Sequence, residues 1–296
     1  MACTARREGD VTQSFYVRAN RMNLKWTLYA LAGMILLAAC YCIVGMLIDM
    51  NRADRLWSEI KASAKEGSLA AFDPRVAAEP VQRYHRAAVR PGASMFRGVE
   101  IVMDGEFKMG DSWAPLEARQ ILVPGKGFVW RAKVGSGLFS MKGFDAYYKN
   151  EGSVNFRLWG LVPVAVLSGP DITRAAKGRL LAETTLVPSA LFGLYGGRFR
   201  ALNPRRIEGR IDVDGEETTI EIGIGQDGAP VEVVILRWGD VNPEKRFMYL
   251  PFGIRFNKMA TIDGCTVPVE MAGGWNYGTP AYAESVRLRF REVHFF

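Results

Sequence analysis

The chain has 296 residues, 49% of them hydrophobic and 23% charged, a balance that excludes a disordered protein and allows a sizeable core. Its net charge of +7 is uneven: residues 1–25 hold Arg6, Arg7, Arg18, Arg21 and Lys25 against Glu8 and Asp10, so the rest of the chain carries only +4. That is too dilute for a nucleic-acid footprint, which needs basic residues gathered on one face. A mild positive balance suits the anionic headgroups of a membrane surface better.

Residues 26–50 read WTLYALAGMILLAACYCIVGMLIDM, with no charge before Asp49. A helix of about 23 such residues spans ~35 Å, enough to cross a hydrocarbon core of about 30 Å. Trp26 and Tyr29 supply amphipathic rings near one interface. The basic flank precedes the segment, whereas Asp49, Arg52, Asp54 and Arg55 cancel after it. The positive-inside rule then makes 1–25 a cytoplasmic tail, 26–50 a transmembrane helix of the inner membrane, and the remainder extracytoplasmic, or periplasmic. A second reading stays open. LAAC at 37–40 fits the site at which bacterial lipoprotein signals are cut, which would make a lipidated Cys40 the mature N-terminus. The apolar run that continues through 41–48 fits a spanning helix better, and both readings put the same domain on the same side.

Cys3 lies before this segment and Cys42 within it, so Cys265 is alone in the large domain, which must stand on its packed core without an internal disulfide. Cys265 itself reads as a small buried apolar side chain.

Residues 51–92 are expected to hold two juxtamembrane helices. Leu56, Trp57, Ile60 and Ala64 fall at helical spacing in 51–66, and 75–88 suggests a second amphipathic helix stopped by Arg90-Pro91-Gly92. From 93 to 296 the texture becomes period-two alternation with tight turns. Strands are expected at 99–103, 113–123, 127–134, 138–148, 206–213, 218–224, 231–238, 259–262, 266–271 and 285–295. The apolar stretch 155–167 reads as a buried strand interrupted at Pro163. A helix fits 171–187, with Asp171 as N-cap and Pro188 closing it. Four Asp-Gly pairs, at 104–105, 214–215, 227–228 and 263–264, each favour a two-residue hairpin turn, because both residues tolerate positive φ. The expected fold is therefore mainly β with a few helices: a curved antiparallel half-barrel of about nine to eleven strands with one inserted helix.

Familiar chemistry finds little purchase. The GxGxxG at 223–228 runs into a strand, not the helix a nucleotide fingerprint requires, and so reads as a hairpin turn. His85 and His294 lack the spacing of metal ligands, and no nucleophile elbow, P-loop or HExxH occurs. Glu106, Asp145, Glu183 and Asp240 would serve paired-carboxylate chemistry only if the fold brought them together. No cofactor is expected. What stands out is aromatic loading: Trp113, Phe128, Trp130, Phe139, Phe144, Tyr147, Tyr148, Phe156 and Trp159 crowd one stretch. Such residues pack a core, or line the concave apolar face of a curved sheet roofed by helix 171–187.

Several segments occur together in order: Arg83-Tyr84-x-Arg86-x-Ala88, then Phe128-Val129-Trp130-Arg131-Ala132, then RLWGLVPV at 157–164, then Glu183 with VPSAL at 187–191, and last Asp263-Gly264-x-x-Val267-Pro268. Over residues 80–295 this resembles a widespread bacterial family of membrane-anchored proteins that is a domain of unknown function. Its layout is similar to the half-barrel of periplasmic lipoprotein carriers, which implies acyl chains held in a concave sheet. The resemblance supplies no catalytic residue.

The sequence thus leads to a membrane-anchored, non-enzymatic protein that binds or shelters a lipid or other hydrophobic ligand. Trp130, Phe156, Trp159, Leu161 and Leu186 are the expected lining, and Arg157 either meets a headgroup or pairs with an acid such as Glu183. The alternative is a structural or interaction subunit of a cell-envelope complex, and an enzyme ranks third.

Overall fold

The computed structural model describes residues 8–296. Of the expected 1–25 tail, residues 1–7, with Cys3, Arg6 and Arg7, lie outside the described residues. The chain divides into two units, Met1–Ile48 and Asp49–Phe296. The first unit is helical through its described residues, as part of α1 (Glu8–Ser63). Its apolar stretch is long and apolar enough to cross a membrane: the most apolar window of Lys25–Ser63 has a mean hydropathy of 2.5 and is 0% buried.

The second unit is built on one antiparallel sheet of 13 strands. In chain order they are β1 (Val99–Met109), β2 (Ser112–Val123), β3 (Gly127–Val134), β4 (Met141–Tyr148), β5 (Glu151–Leu158), β6 (Val162–Ser168) and β7 (Phe199–Asn203). There follow β8 (Arg206–Val213), β9 (Glu216–Ile224), β10 (Pro230–Gly239), β11 (Met248–Ile262), β12 (Cys265–Trp275) and β13 (Ala283–Phe295). Every neighbour in the sheet is a neighbour in sequence except one. β1 pairs with β13, from Val99 against Phe295 to Phe107 against Val286, and so joins two meanders, β1–β6 and β7–β13. Register shifts at Val102/Met103, Phe156/Arg157 and Gly273/Gly274 mark bulges, which add local twist and bend the sheet. The sheet curves without closing, and β6 and β7 are its free edges.

Helices cover both faces. The end of α1 within this unit lies on the convex face, where Ala53, Leu56, Trp57 and Ile60 pack with Ile121, Val129, Phe144 and Ala146. The concave face carries the main core with α2 (Glu79–Ala88), α3 (Pro170–Glu183) and α4 (Pro188–Tyr195). Strand parity sorts residues between the faces: Phe128, Trp130, Ala132 and Val134 of β3 join the concave cluster, whereas Val129 joins the convex one.

The strand count exceeds the expected nine to eleven for two reasons. Residues 155–167 are not one strand interrupted at Pro163 but the hairpin β5–β6, which turns at Trp159 and Gly160 with φ of 54° and 75°. The short edge strand β7 adds one more: its five residues are mostly exposed and carry no alternating pattern that predicts a strand. Two of the four Asp-Gly pairs are the expected turns, Asp214-Gly215 (φ 49°, 76°) and Asp263-Gly264 (φ 51°, 83°). Asp227-Gly228 sits in a longer loop. Asp104-Gly105 lies inside β1, where the glycine serves close approach, since a Cβ there would fall 1.9 Å from the Arg287 carbonyl oxygen of β13. The inserted helix also ends earlier than 187. α3 stops at Glu183 with Gly169 at its N-cap, and Pro188 opens α4, its fixed φ suiting a first helical turn. The helix expected at 51–66 is the continuation of α1.

Candidate functional site

The connection from β6 to β7 leaves one sheet edge and arrives at the other, carrying α3 and α4 with it. α3 packs on β4, β5, β6, β8 and β10, so it lies along the concave face. Beneath it is a cavity of about 520 Å³, within the ~300–1,000 Å³ range of small-molecule sites. Its walls are mostly apolar: Phe107 and Met109 from β1, Met141 from β4, Val154 and Phe156 from β5, Val164 and Ala165 from β6, Phe252 and Ile254 from β11, Met271 and Trp275 from β12, and Val286 and Leu288 from β13. On α3, Arg179, Ala182 and Glu183 face it together, as i, i+3 and i+4 positions must.

The polar part of the cavity is a network linking α3 to β2 and β4. The Arg179 guanidinium donates from Nε to Glu183 Oε1 (2.7 Å), from Nη1 to Asp145 Oδ2 (2.8 Å) and from Nη2 to Gln120 Oε1 (3.0 Å). Gln120 Nε2 donates to the other Glu183 oxygen at 2.7 Å, so the ring of contacts closes. The same guanidinium lies 4.8 Å from the centroids of both Phe128 and Trp130. Burial alone would lower its pKa; the Glu183 and Asp145 carboxylates outweigh burial and raise it.

Arg237 is arranged differently. It is partly buried in the same cavity, with its guanidinium 4.8 Å from Phe252 and 5.0 Å from Trp275. Its Nε donates to the Ala175 carbonyl at 3.0 Å, and it makes no carboxylate ion pair among the described residues. Burial, followed by the like charge of Arg179, pulls its pKa down to about 10 against the opposing pull of Asp145 and Glu183, which leaves it cationic at neutral pH. Two further polar atoms of cavity residues, Trp130 Nε1 and Asp145 Oδ1, are buried without a partner.

Of the residues singled out by sequence, the structure brings Trp130, Phe156 and Glu183 into the cavity. Arg157 cannot join them. It alternates with Phe156 on β5 and so points to the convex face, where its Nε donates to Asp49 Oδ2 at 2.6 Å and its Nη1 to the Leu161 carbonyl at 3.1 Å. Its acidic partner is therefore Asp49 and not Glu183. Trp159 and Leu161 belong to the β5–β6 turn, with Trp159 48% exposed, and Leu186 is buried in the core just after α3. Asp145 and Glu183 do converge, but on Arg179 and not as a facing acid pair; Glu106 pairs with Arg287. The sequence reading missed Arg179 and Arg237. For Arg237 a signal existed: it shares strand parity with buried Val233 and Ile235, an unusual setting for a charge. No group of three or more metal-ligating side chains occurs among the described residues.

Residues 78–295 match the protein family described as "Family of unknown function (DUF6920)". The chain belongs to this family. None of the curated proteins matches the DUF6920 chain. Among solved structures, it is similar to a candidate outer membrane lipoprotein-sorting protein domain from Vibrio parahaemolyticus (13% identity, 75% of this chain and 93% of that one, TM-score 0.41). It is also similar to a DUF1329 family protein from Desulfovibrio piger (11%, 74% and 94%, TM-score 0.41). A LolA superfamily protein from Nitrosomonas europaea is similar at 8% identity over 77% and 94% of the two chains, with a TM-score of 0.38.

Proposed function

We propose that this DUF6920 protein is a non-enzymatic, membrane-anchored protein that holds a lipid or other apolar ligand in the concave face of its sheet. In this reading α1 crosses the inner membrane once, the N-terminus is cytoplasmic, and the β-rich unit is periplasmic. The observation that carries the reading is the cavity: about 520 Å³ of space, walled mostly by apolar side chains from the sheet and roofed by α3. An apolar void of that size forfeits contacts along its whole lining, and an apolar occupant restores them.

The test uses the full chain, extracted in a non-ionic detergent and analysed by native mass spectrometry with organic extraction. We expect a stoichiometric lipid that is lost in Val286→Trp, a substitution that fills the cavity with another apolar side chain. A bare protein mass, with no uptake of added phospholipid or fatty acid, refutes the reading. That outcome would favour an interaction subunit, the role to which the exposed apolar side chains of edge strand β6 also lend themselves: Val162, Val164, Val166 and Leu167 are 42–57% exposed.

A further inference from the structure

A cavity that takes only hydrocarbon has no use for a guanidinium in its wall. Arg179 is accounted for, since each of its three nitrogens donates to a carboxylate or a carboxamide and it ties α3 to the sheet. Arg237 is not. Its single hydrogen bond to protein leaves from Nε, and Nη1 and Nη2 have no protein acceptor among the described residues. Neither nitrogen is sealed inside the protein, since neither is among the buried atoms without a partner, and the side chain lines the cavity. The two nitrogens that reach the cavity are left for water or for an occupant, and an occupant with anionic oxygens supplies the acceptors that hydrocarbon lacks. The Phe252 and Trp275 rings flank the guanidinium at 4.8 and 5.0 Å and the Ala175 carbonyl takes its Nε, which leaves Nη1 and Nη2 side by side for an acceptor.

From this we infer that the occupant is an amphiphile with an anionic oxygen head, a carboxylate or a phosphate, seated on Arg237, with its hydrocarbon along Phe107, Met141, Phe156, Met271 and Val286. The inference rests on the lipid-binding reading above and adds the chemistry of the head. The opposing consideration is electrostatic. Arg179 with Asp145 and Glu183 leaves one net negative charge nearby, which Arg237 balances at longer range, so an uncharged head would keep the cavity neutral. Direct contact decides between them: a charge-assisted, bidentate hydrogen bond to two anionic oxygens is available to a carboxylate or a phosphate and not to an uncharged head.

The experiment compares three single-chain probes on the full chain in non-ionic detergent: palmitate, palmitoyl lysophosphatidic acid and hexadecanol. A hydrogen bond to a charged partner contributes about 1.5–3 kcal/mol, so at least one anionic probe should bind roughly ten- to a hundredfold more tightly than the alcohol. In R237Q that ratio should fall to near unity, and R237K should retain part of it as a point charge without the fork. Preference for palmitate alone or for the lysophosphatidate alone identifies the head and supports the inference. Hexadecanol binding to the wild type as tightly as both anionic probes overturns it while leaving the lipid-binding reading standing. So does a preference that survives R237Q. Failure of all three probes to bind the wild type sinks the lipid-binding reading itself. Because the first comparison uses the unmodified protein, it decides even where R237Q does not fold.

Discussion

Arg179→Met tests whether the network in the cavity roof holds α3 to the sheet. The substitution keeps a long apolar stem but removes three hydrogen bonds, to Glu183, Asp145 and Gln120. It also removes the stacking on Phe128 and Trp130. What it leaves behind matters more: the Asp145 and Glu183 side chains, 16% and 9% exposed, keep their charge without a cation in contact, Arg237 acting only at longer range. Removing one partner from a buried ion pair costs about 3–5 kcal/mol, chiefly through the stranded charge. For a unit of this size each kcal/mol shifts the melting temperature by about 2–4 °C, so a loss of roughly 6–20 °C is expected. The assay is thermal and guanidinium unfolding of the full chain in detergent, followed by near-UV circular dichroism. The triple variant R179M/D145N/E183Q, which neutralises the stranded acids and leaves Gln120 a carboxamide partner, should recover at least half of the loss. If R179M lies within about 1 kcal/mol of the wild type, the site is more open to water than its geometry implies and the argument fails. If the triple variant is no more stable than the single one, the cost was packing and not stranded charge.

Two further outcomes follow from the same structure. Gly152 of β5 faces α3 so closely that a Cβ would fall 2.6 Å from Thr173 Cα and 2.8 Å from the Ile172 carbonyl oxygen; Gly152→Ala should therefore cost about 1–3 kcal/mol in the same unfolding assay, against less than about 0.5 kcal/mol for Gly197→Ala, which has open space around it, and equal stabilities would refute the close packing of α3. His85 on α2 has a buried, unpartnered Nδ1 against the rings of Phe192 (4.7 Å) and Phe72 (5.1 Å), and burial lowers its pKa. The unfolded chain then binds the extra proton first, so stability should decline as pH falls below about 6.5, and His85→Phe should remove that decline above the carboxylate range; an unchanged slope would show that His85 is not kept neutral.

The meander was legible because it is a local property. Alternation on each strand, and the tolerance of Asp214-Gly215 and Asp263-Gly264 for positive φ, are written within a few neighbouring residues. Errors came where two local signals competed. Pro163 looked like the break in residues 155–167, yet the chain turns earlier, at Trp159, whose bulky side chain gives no hint of a φ of 54°. Pro163 instead falls on edge strand β6, where a missing N–H does no harm. The site was legible in part. Trp130 and Phe156 are readable as apolar residues on buried strands; Arg157, next to Phe156, is sent by the pleat to the opposite face, where it pairs with an acid as one of its two readings expects, the acid being Asp49. Arg179 and its partners were out of reach, because residues 120, 145, 179 and 183 meet only once β2, β4 and α3 are assembled.

The connectivity also explains why this sheet stays open. With 13 strands it is long enough to curl, and closure would require β6 to pair with β7. Those two strands are the ends of a single connection, residues 169–198, whose helices lie within the concave face. Pairing the edges would squeeze α3 against the opposite wall, where Gly152 already leaves no room for a methyl group and Gly178 of α3 lies within 2.9 Å of the Arg237 side chain when given a Cβ. The segment that prevents closure is the one that roofs the cavity and supplies Arg179 and Glu183 to it. An open sheet and a roofed apolar pocket are consequences of the same chain crossing, so a variant that shortens 169–198 enough to expel α3 must lose both together.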